Sequence, residues 1–161
     1  MLVEMERQEF ESLSHTELFL RCTEPTIVQL RRSDLSEKTQ LVSQLNSGQQ
    51  AMVMFRLLYP AQNSADEYYY WISYLIKEPS YWTGVIGGLR FFGEDSLIEL
   101  LEETGMVLNA QNKESRLIDN TELLKRVPPL FSRFQSMLPV SIERISGYIR
   151  SNSETFVQLI H

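Results

Sequence analysis

The stretch from Leu41 to Trp82 constrains the fold of this chain most strongly, because it holds most of the aromatic side chains. Between Tyr68 and Ile76 nearly every residue is apolar or aromatic, and only Ser73 interrupts the run. A helix that is apolar on all sides belongs inside a protein or under a partner. The sequence therefore predicts a central aromatic-rich helix over residues 65–77.

A helical stripe precedes the aromatic helix. Its apolar and small residues recur at spacings of three and four, namely Leu41, Leu45, Gly48, Met52, Phe55 and Tyr59. This periodicity favours one long helix near residues 36–59, or two nearly coaxial helices. The alternative is a break at Gly48, in which Ser47 and Gln50 form a new capping box.

Capping residues and prolines divide the remainder of the chain into short helices. The expected boundaries are a capping box at Ser14–Glu17, a new helix at Pro25, a stop at Gly93, a C-cap at Thr104–Gly105, a polar loop over 109–120, and breaks at Pro128–Pro129 and Pro139. No strand alternation continues beyond a few residues. We therefore predict an all-α protein, a single-domain bundle of about seven or eight helices spanning residues 1–161.

Charge and cysteine usage limit the functional classes. The formal net charge of −6 disfavours a general nucleic-acid binder, whose affinity would come from neutralising phosphates. The lone Cys22 excludes a disulfide within the chain and suits a reducing compartment. With no signal-peptide pattern at the start and no long apolar run, we expect a cytoplasmic protein that does not enter a membrane. The stretch from Leu45 to Trp71 has the look of a bacterial protein.

No set of residues forms a catalytic or metal-binding signature. His15 falls in a capping box, His161 is the final residue, and Cys22 has no histidine nearby in sequence to activate it. The acidic residues after Gly93 share a helix face, but a dinuclear carboxylate site would also need Glu-x-x-His pairs. We therefore expect a solvated acidic face (Glu94, Asp95, Glu99, Glu102 and Glu103) and neither a cofactor nor a metal.

The C-terminal part of the chain is basic. From Leu123 onward there are two acidic residues and five basic ones: Lys125, Arg126, Arg133, Arg144 and Arg150. The favoured interpretation is that these cations complement the acidic helix, on the same chain or on a second protomer. The alternative is a basic face for nucleic acid.

The candidate site lies around the aromatic helix. Arg56 and Arg90 fall inside otherwise apolar helices, and Glu67 stands between the long stripe and the aromatic helix. These three charges can form a buried ion-pair network in a closed core. Alternatively, they form the polar base of a pocket lined by aromatic residues, a usual form of ligand site. The aromatic lining would be Tyr68, Tyr70, Trp71 and Trp82.

The leading functional hypothesis is a non-enzymatic helical domain that binds a protein partner or associates with itself as a homodimer. The excess of tyrosine and tryptophan supports it, since both residues are favoured at interfaces. One alternative is a domain that binds or transforms a small molecule in the aromatic pocket. Another is a transcription-type regulator with a basic C-terminal face, against which the net acidity counts.

Overall fold

The secondary structure is almost wholly helical. The computed structural model describes residues 2–113 and 120–161. Its elements are β1 (Val3–Glu6), α1 (Arg7–Ser12), α2 (His15–Arg31), α3 (Leu35–Ser43), α4 (Ser47–Arg56), a 3-10 helix (Tyr59–Gln62), α5 (Ala65–Lys77), α6 (Pro79–Phe91), α7 (Asp95–Lys113), α8 (Asn120–Ser151), α9 (Ser153–Phe156) and β2 (Val157–Ile160). The prediction of an all-α helical bundle is confirmed.

Two short strands join the ends of the described chain. β1 and β2 pair in parallel, with Val3 opposite Val157 and Glu6 opposite Ile160. The sequence did not predict them, because four residues are too few for an alternating pattern to stand out. The apolar C-terminal end is docked on the fold, since Phe156 and Val157 are buried.

Helix α5 packs with one face and leaves another exposed. Tyr68, Ile72 and Leu75 follow at helical spacing and are fully buried, where they meet α6, α7, α8 and the 3-10 helix. Ser64 caps the helix by accepting a hydrogen bond from the Glu67 backbone N–H. Tyr70, by contrast, is 69% exposed. One side of the helix therefore belongs to the core, and the other side faces solvent.

The prediction of one long helix near residues 36–59 is wrong, because the chain breaks between α3 and α4. Asn46 caps α4 by accepting from the Gln49 N–H, and the Gln49 side chain accepts from the Asn46 N–H in return. The Gln50 amide also donates to the Val42 and Leu45 carbonyls at the end of α3. The alternative break is therefore correct, but Asn46 rather than Ser47 supplies the cap.

The prediction that a new helix begins at Pro25 is wrong. α2 runs through it from His15 to Arg31. A proline inside a helix costs about 3 kcal/mol, because a backbone hydrogen bond is lost. Burial of Phe19, Cys22 and Ile27 along the same helix offsets that cost.

The predicted breaks at Pro128–Pro129 and Pro139 are also wrong. α8 continues through all three prolines for 32 residues, and their rings are exposed to solvent. The opposite face is buried without interruption by Leu123, Val127, Leu130, Phe134, Leu138, Ile142, Ile145 and Ile149. This apolar face packs against α2 and α7, so tertiary burial outweighs the local helix-breaking tendency.

The predicted C-cap at Thr104–Gly105 is wrong, since α7 continues to Lys113. Thr104 is buried, and its hydroxyl lies 2.8 Å from both the Leu100 carbonyl and the Tyr68 hydroxyl. The predicted loop over 109–120 is thus helical as far as residue 113, and its remainder to residue 119 lies outside the described residues. Gly93, with a φ of 71°, stops α6 as predicted.

An ion pair between a buried carboxylate and an exposed guanidinium connects the start of α7 to α8. Both carboxylate oxygens of Glu94 accept hydrogen bonds from Arg144, at 2.8 and 2.6 Å, and Ser141 donates to the same carboxylate at 2.8 Å. Glu94 is only 1% exposed. The expectation of a solvated face is therefore wrong for Glu94, although Glu99, Glu102 and Glu103 are exposed as predicted.

Stability should fall in acid because of Glu94. Burial alone would raise the pKa of Glu94, but the hydrogen bonds from Arg144 and Ser141 hold that pKa below its ordinary value of 4.5. The stabilising contribution is therefore complete above pH 4.5 and is lost as the pH falls below it. We expect Glu94→Gln to lower the free energy of unfolding by about 2 kcal/mol at pH 7 and by much less in acid. Urea titrations at several pH values measure this, with the exposed Glu99→Gln as control; an equal loss for Glu94→Gln at every pH would contradict the assignment.

The glycines of α6 give a second prediction. A Cβ at Gly88 would lie 2.7 Å from the Ala51 carbonyl oxygen, whereas a Cβ at Gly87 would have no described neighbour within 4 Å apart from the adjacent residues and backbone of its own helix. We expect Gly88→Ala to destabilise the protein by about 2 kcal/mol through overpacking. Gly87→Ala should stabilise it by up to about 1 kcal/mol through helix propensity. Thermal unfolding of the two variants is the measurement, and equal melting temperatures would refute the close approach of α4 and α6.

Candidate functional site

Helix α3 lies outside the main core. Among its residues, all of which the structure describes, none is buried. Lys38, Leu41 and Val42 are half-buried and hold it against the neighbouring helices. A groove opens on each side of α3, and both grooves share Lys38 and Val42 as part of their walls. This region is therefore the candidate site.

The first groove, which we name the glycine groove, lies between α3, α4 and α6 and has a volume of about 470 Å³. Gly84, Gly87 and Gly88 form part of its lining. Leu35 and Phe91 also line it, although they are 78% and 41% exposed. Close approach of another helix would explain why so many glycines lie in one helix. That holds for Gly88, whereas the side of Gly87 is open.

The second groove, which we name the arginine groove, lies between α2, α3, α4 and α5 and has a volume of about 240 Å³. Most of its lining is apolar and includes Leu57, Trp71 and Leu75. Its charged lining residues among those described are all cations: Arg31, Lys38 and Arg56. The arrangement can hold a small apolar group beside a positive charge.

Arg56 is the most enclosed charge of the arginine groove, at 8% exposure. Its Nη2 lies 3.6 Å from the carboxylate of Glu24, which is half-exposed, and its guanidinium stacks on the Tyr59 ring at 4.7 Å. Its buried Nε has no hydrogen-bond partner among the described residues. Burial lowers the pKa of Arg56, Glu24 opposes that shift, and the nearby positive charge of Arg31 adds to it.

Trp71 lines the same groove from α5. Its indole N–H donates to the Leu57 carbonyl, which fixes the ring in the groove wall. The ring stacks on Tyr74 with 5.6 Å between centroids, and Tyr74 is also a lining residue. Of the seven predicted site residues, Arg56 and Trp71 are thus the pair that the structure brings into one groove.

The other predicted charges lie apart from Arg56, so the expected network of Arg56, Glu67 and Arg90 is not formed. Glu67 is exposed and accepts a hydrogen bond from the Asn63 amide at 2.9 Å. Arg90 is exposed on α6. The partner of Arg56 is Glu24, which follows from α2 passing unbroken through Pro25. Sequence spacing could not indicate that pairing.

The other predicted aromatic residues also separate. Tyr68 is buried among the rings of Phe131 and Phe134, and burial raises the pKa of its hydroxyl to about 12. Trp82 is half-buried and packs near Gly105. Tyr70 is exposed on α5. The structure therefore places these three residues in different surroundings, and of the four predicted aromatic residues only Trp71 lines the arginine groove.

The sequence did not indicate Arg31 and Lys38 as site residues. They lie on α2 and α3, far from the aromatic helix along the chain. One signal was available, because residues 35–43 contain too few apolar residues for a buried helix. Such a helix must lie on the surface, where Lys38 can border a groove.

Five exposed or half-exposed residues form a connected apolar surface, which we name the aromatic face. Its members are Leu35, Tyr70, Tyr74, Tyr81 and Phe91. Leu35, Phe91 and Tyr81 line the glycine groove, while Tyr81 and Tyr74 line the arginine groove with ring centroids 6.0 Å apart. Tyr74 and Tyr70 share a further surface depression on α5. The surface therefore extends across both grooves.

Two of the five basic C-terminal residues, Arg133 and Arg144, pair with the predicted acidic residues on the same chain, as the favoured interpretation expected. Arg133 pairs with Glu103 at 2.7 Å, and Arg144 pairs with Glu94. Arg150 donates to the backbone carbonyls of Phe10 and Leu13. These cations are therefore engaged in joining α8 to its neighbours.

No group of His, Cys, Asp or Glu in the described residues is arranged to hold a metal ion. Within the same ranges, no helix has the length and apolar character needed to span a membrane. No protein-family model matches the chain, and neither a curated protein nor a solved structure matches it significantly. The site must therefore be interpreted from its own geometry.

Cys22 should be chemically inert in the folded protein. Burial raises the pKa of its thiol to about 11, so the reactive thiolate is scarce at neutral pH. We expect a disulfide reagent to label Cys22 slowly at pH 8 and rapidly once the chain is unfolded. Spectrophotometric thiol titration with and without denaturant measures both rates. Rapid labelling of the native protein would contradict the burial of Cys22.

Proposed function

We propose that this chain is a non-enzymatic helical domain that binds protein through the aromatic face. The observation that carries the proposal is the connected exposure of large apolar side chains beside two grooves. Leu35 is 78% exposed and Tyr70 69%, and both belong to the same surface. Exposed apolar patches on globular proteins mark interaction sites more often than scattered apolar residues do.

The residue types of the aromatic face suit protein recognition. Three of the five are tyrosines, which offer a large apolar ring and one polar group while losing little conformational entropy on binding. The grooves add concave shape, and Gly87 leaves room in the first groove for a partner's side chain. A partner with a projecting apolar ridge fits this surface best.

We take a second copy of the chain as the partner, since a two-fold dimer uses the same patch on both subunits. The cytoplasm is the compartment we assign, because a single buried thiol suits reducing conditions. Two copies meeting through Leu35 and Tyr70 would cover the two most exposed members of the aromatic face.

Molecular mass in solution tests the dimer. We expect sedimentation equilibrium to show a monomer–dimer equilibrium that the double substitution Leu35→Ser with Tyr70→Ser weakens at least tenfold. Val140→Ser is the matched control, because Val140 is an exposed apolar residue on α8 outside the aromatic face. Circular dichroism checks that each variant is folded. A chain that remains monomeric at the highest attainable concentration overturns self-association.

A photo-crosslinking experiment tests the aromatic face independently of the partner's identity. A photoreactive phenylalanine analogue replaces Tyr74 in one variant and Val140 in the other, since both positions are 47% exposed. In cells, position 74 should give one discrete crosslinked protein that position 140 does not. Identical patterns at both positions would sink the proposed interface.

A further inference from the structure

The charge of the arginine groove is opposite to that of the whole chain. The formal net charge is −6, yet Arg31, Lys38 and Arg56 are the charged residues among the described lining. The carboxylate of Glu24 approaches Arg56 from beside the groove, so the local balance of these four side chains is +2. Such a concentration of positive charge beside apolar walls favours an anion with an apolar body.

Arg56 has unused capacity to bind an anion. A guanidinium offers five N–H donors in a planar fork, which suits a carboxylate with two oxygen atoms. At 3.6 Å, the contact with Glu24 is too long for a hydrogen bond, and the buried Nε has no partner among the described residues. A buried donor without a partner is costly, so an acceptor that reaches the Arg56 guanidinium from the groove gains free energy.

The positive charges around Arg56 also favour a bound anion. Arg31 lies close enough for its positive charge to lower the pKa of Arg56. Two cations beside one apolar groove repel each other, and a bound anion would remove that repulsion. Lys38 faces the same groove from α3 and adds a third positive charge.

We propose that the arginine groove binds a small apolar monocarboxylate. The carboxylate accepts hydrogen bonds from the Arg56 guanidinium, with Arg31 and Lys38 neutralising the charge at the groove mouth. The hydrocarbon body lies against Leu57, Trp71 and Leu75. This site adjoins the aromatic face at Tyr74 and Tyr81. Its charged residues are not members of that face, and Leu35 does not line this groove, so the two proposals can be tested by different substitutions.

The size of the groove limits the ligand. About 240 Å³ accommodates a short or medium hydrocarbon chain rather than a long one. The α3 wall is held by half-buried side chains only, so the groove can admit a ligand by a small displacement of α3. A flat wall formed by the stacked Trp71 and Tyr74 rings can also support an aromatic acid.

Octanoate is the probe for this site, and the fluorescence of Trp71 is the readout. Trp82→Phe removes the second tryptophan, so the signal comes from the groove alone. We expect octanoate to bind with one molecule per chain and to shift the emission of Trp71. Octanol, which has the same chain length without the carboxylate, should bind at least tenfold more weakly. Acetate, which lacks the apolar body, should not bind measurably.

Substitutions test which cations of the groove bind the carboxylate. Arg56→Gln should weaken octanoate binding about tenfold, as expected for a lost hydrogen bond to a charged group, and leave octanol binding unchanged. Lys38→Gln should weaken it about twofold to threefold, and because Lys38 is half-buried on α3 this variant remains informative if Arg56→Gln does not fold. Arg90→Gln is the matched control, since Arg90 is exposed on α6 outside the groove.

Three outcomes would overturn the proposal. One is the lack of any octanoate-dependent change up to its solubility limit. Another is equal binding of octanol and octanoate. The third is unchanged octanoate binding in a folded Arg56→Gln variant, or in Lys38→Gln if the first variant is unfolded. Leu35→Ser should leave octanoate binding intact, so failure of the protein-binding proposal and failure of this one can be told apart.

Discussion

The rest of the structure depends on the uninterrupted apolar face of α8. Three prolines interrupt its backbone hydrogen bonding, yet its buried residues continue from Leu123 to Ile149 along one side. Helices α2, α5 and α7 all pack on α8. At its C-terminal end, Arg150 donates to the carbonyls of Phe10 and Leu13, which fixes the N-terminal elements and brings β1 beside β2. One long helix therefore connects the two ends of the described chain.

The same packing leaves α3 outside the core. The main cluster of buried apolar residues draws on every other helix of the described chain, and α3, which has no buried residue, contributes none. The break at Asn46 makes α3 a separate helix from α4 and ends the predicted continuous stripe. The helix then forms a wall between two grooves. The candidate site therefore forms around α3 because α3 contributes no buried residue to the core.

Local signals in the sequence predicted local structure well. The capping box at Ser14–Glu17 and the left-handed Gly93 depend on neighbouring residues only, and both are confirmed. The boundaries that failed, at Pro25, Pro128–Pro129 and Thr104–Gly105, are places where burial against distant helices overrides a local tendency. For the candidate site, too, local features were predicted from the sequence and long-range pairings were not. Arg56 and Trp71 were identified because a charge in an apolar helix and a concentrated aromatic run are visible in sequence, but the pairing of Arg56 with Glu24 is set by helix packing.

Arg56 illustrates how position distinguishes structural from binding roles. A nearly buried guanidinium pays a desolvation penalty that an ion pair recovers only when its hydrogen bonds are short and complete. The Glu94 and Arg144 pair meets that condition, with three hydrogen bonds to one carboxylate, and its role is to join α7 to α8. The Arg56 and Glu24 pair does not, since its atoms lie 3.6 Å apart and one buried N–H is unused within the described chain. Replacing buried ion pairs of this kind by apolar side chains of similar size is often neutral or stabilising. The guanidinium is therefore better explained by an anion in the groove than by the stability of the fold.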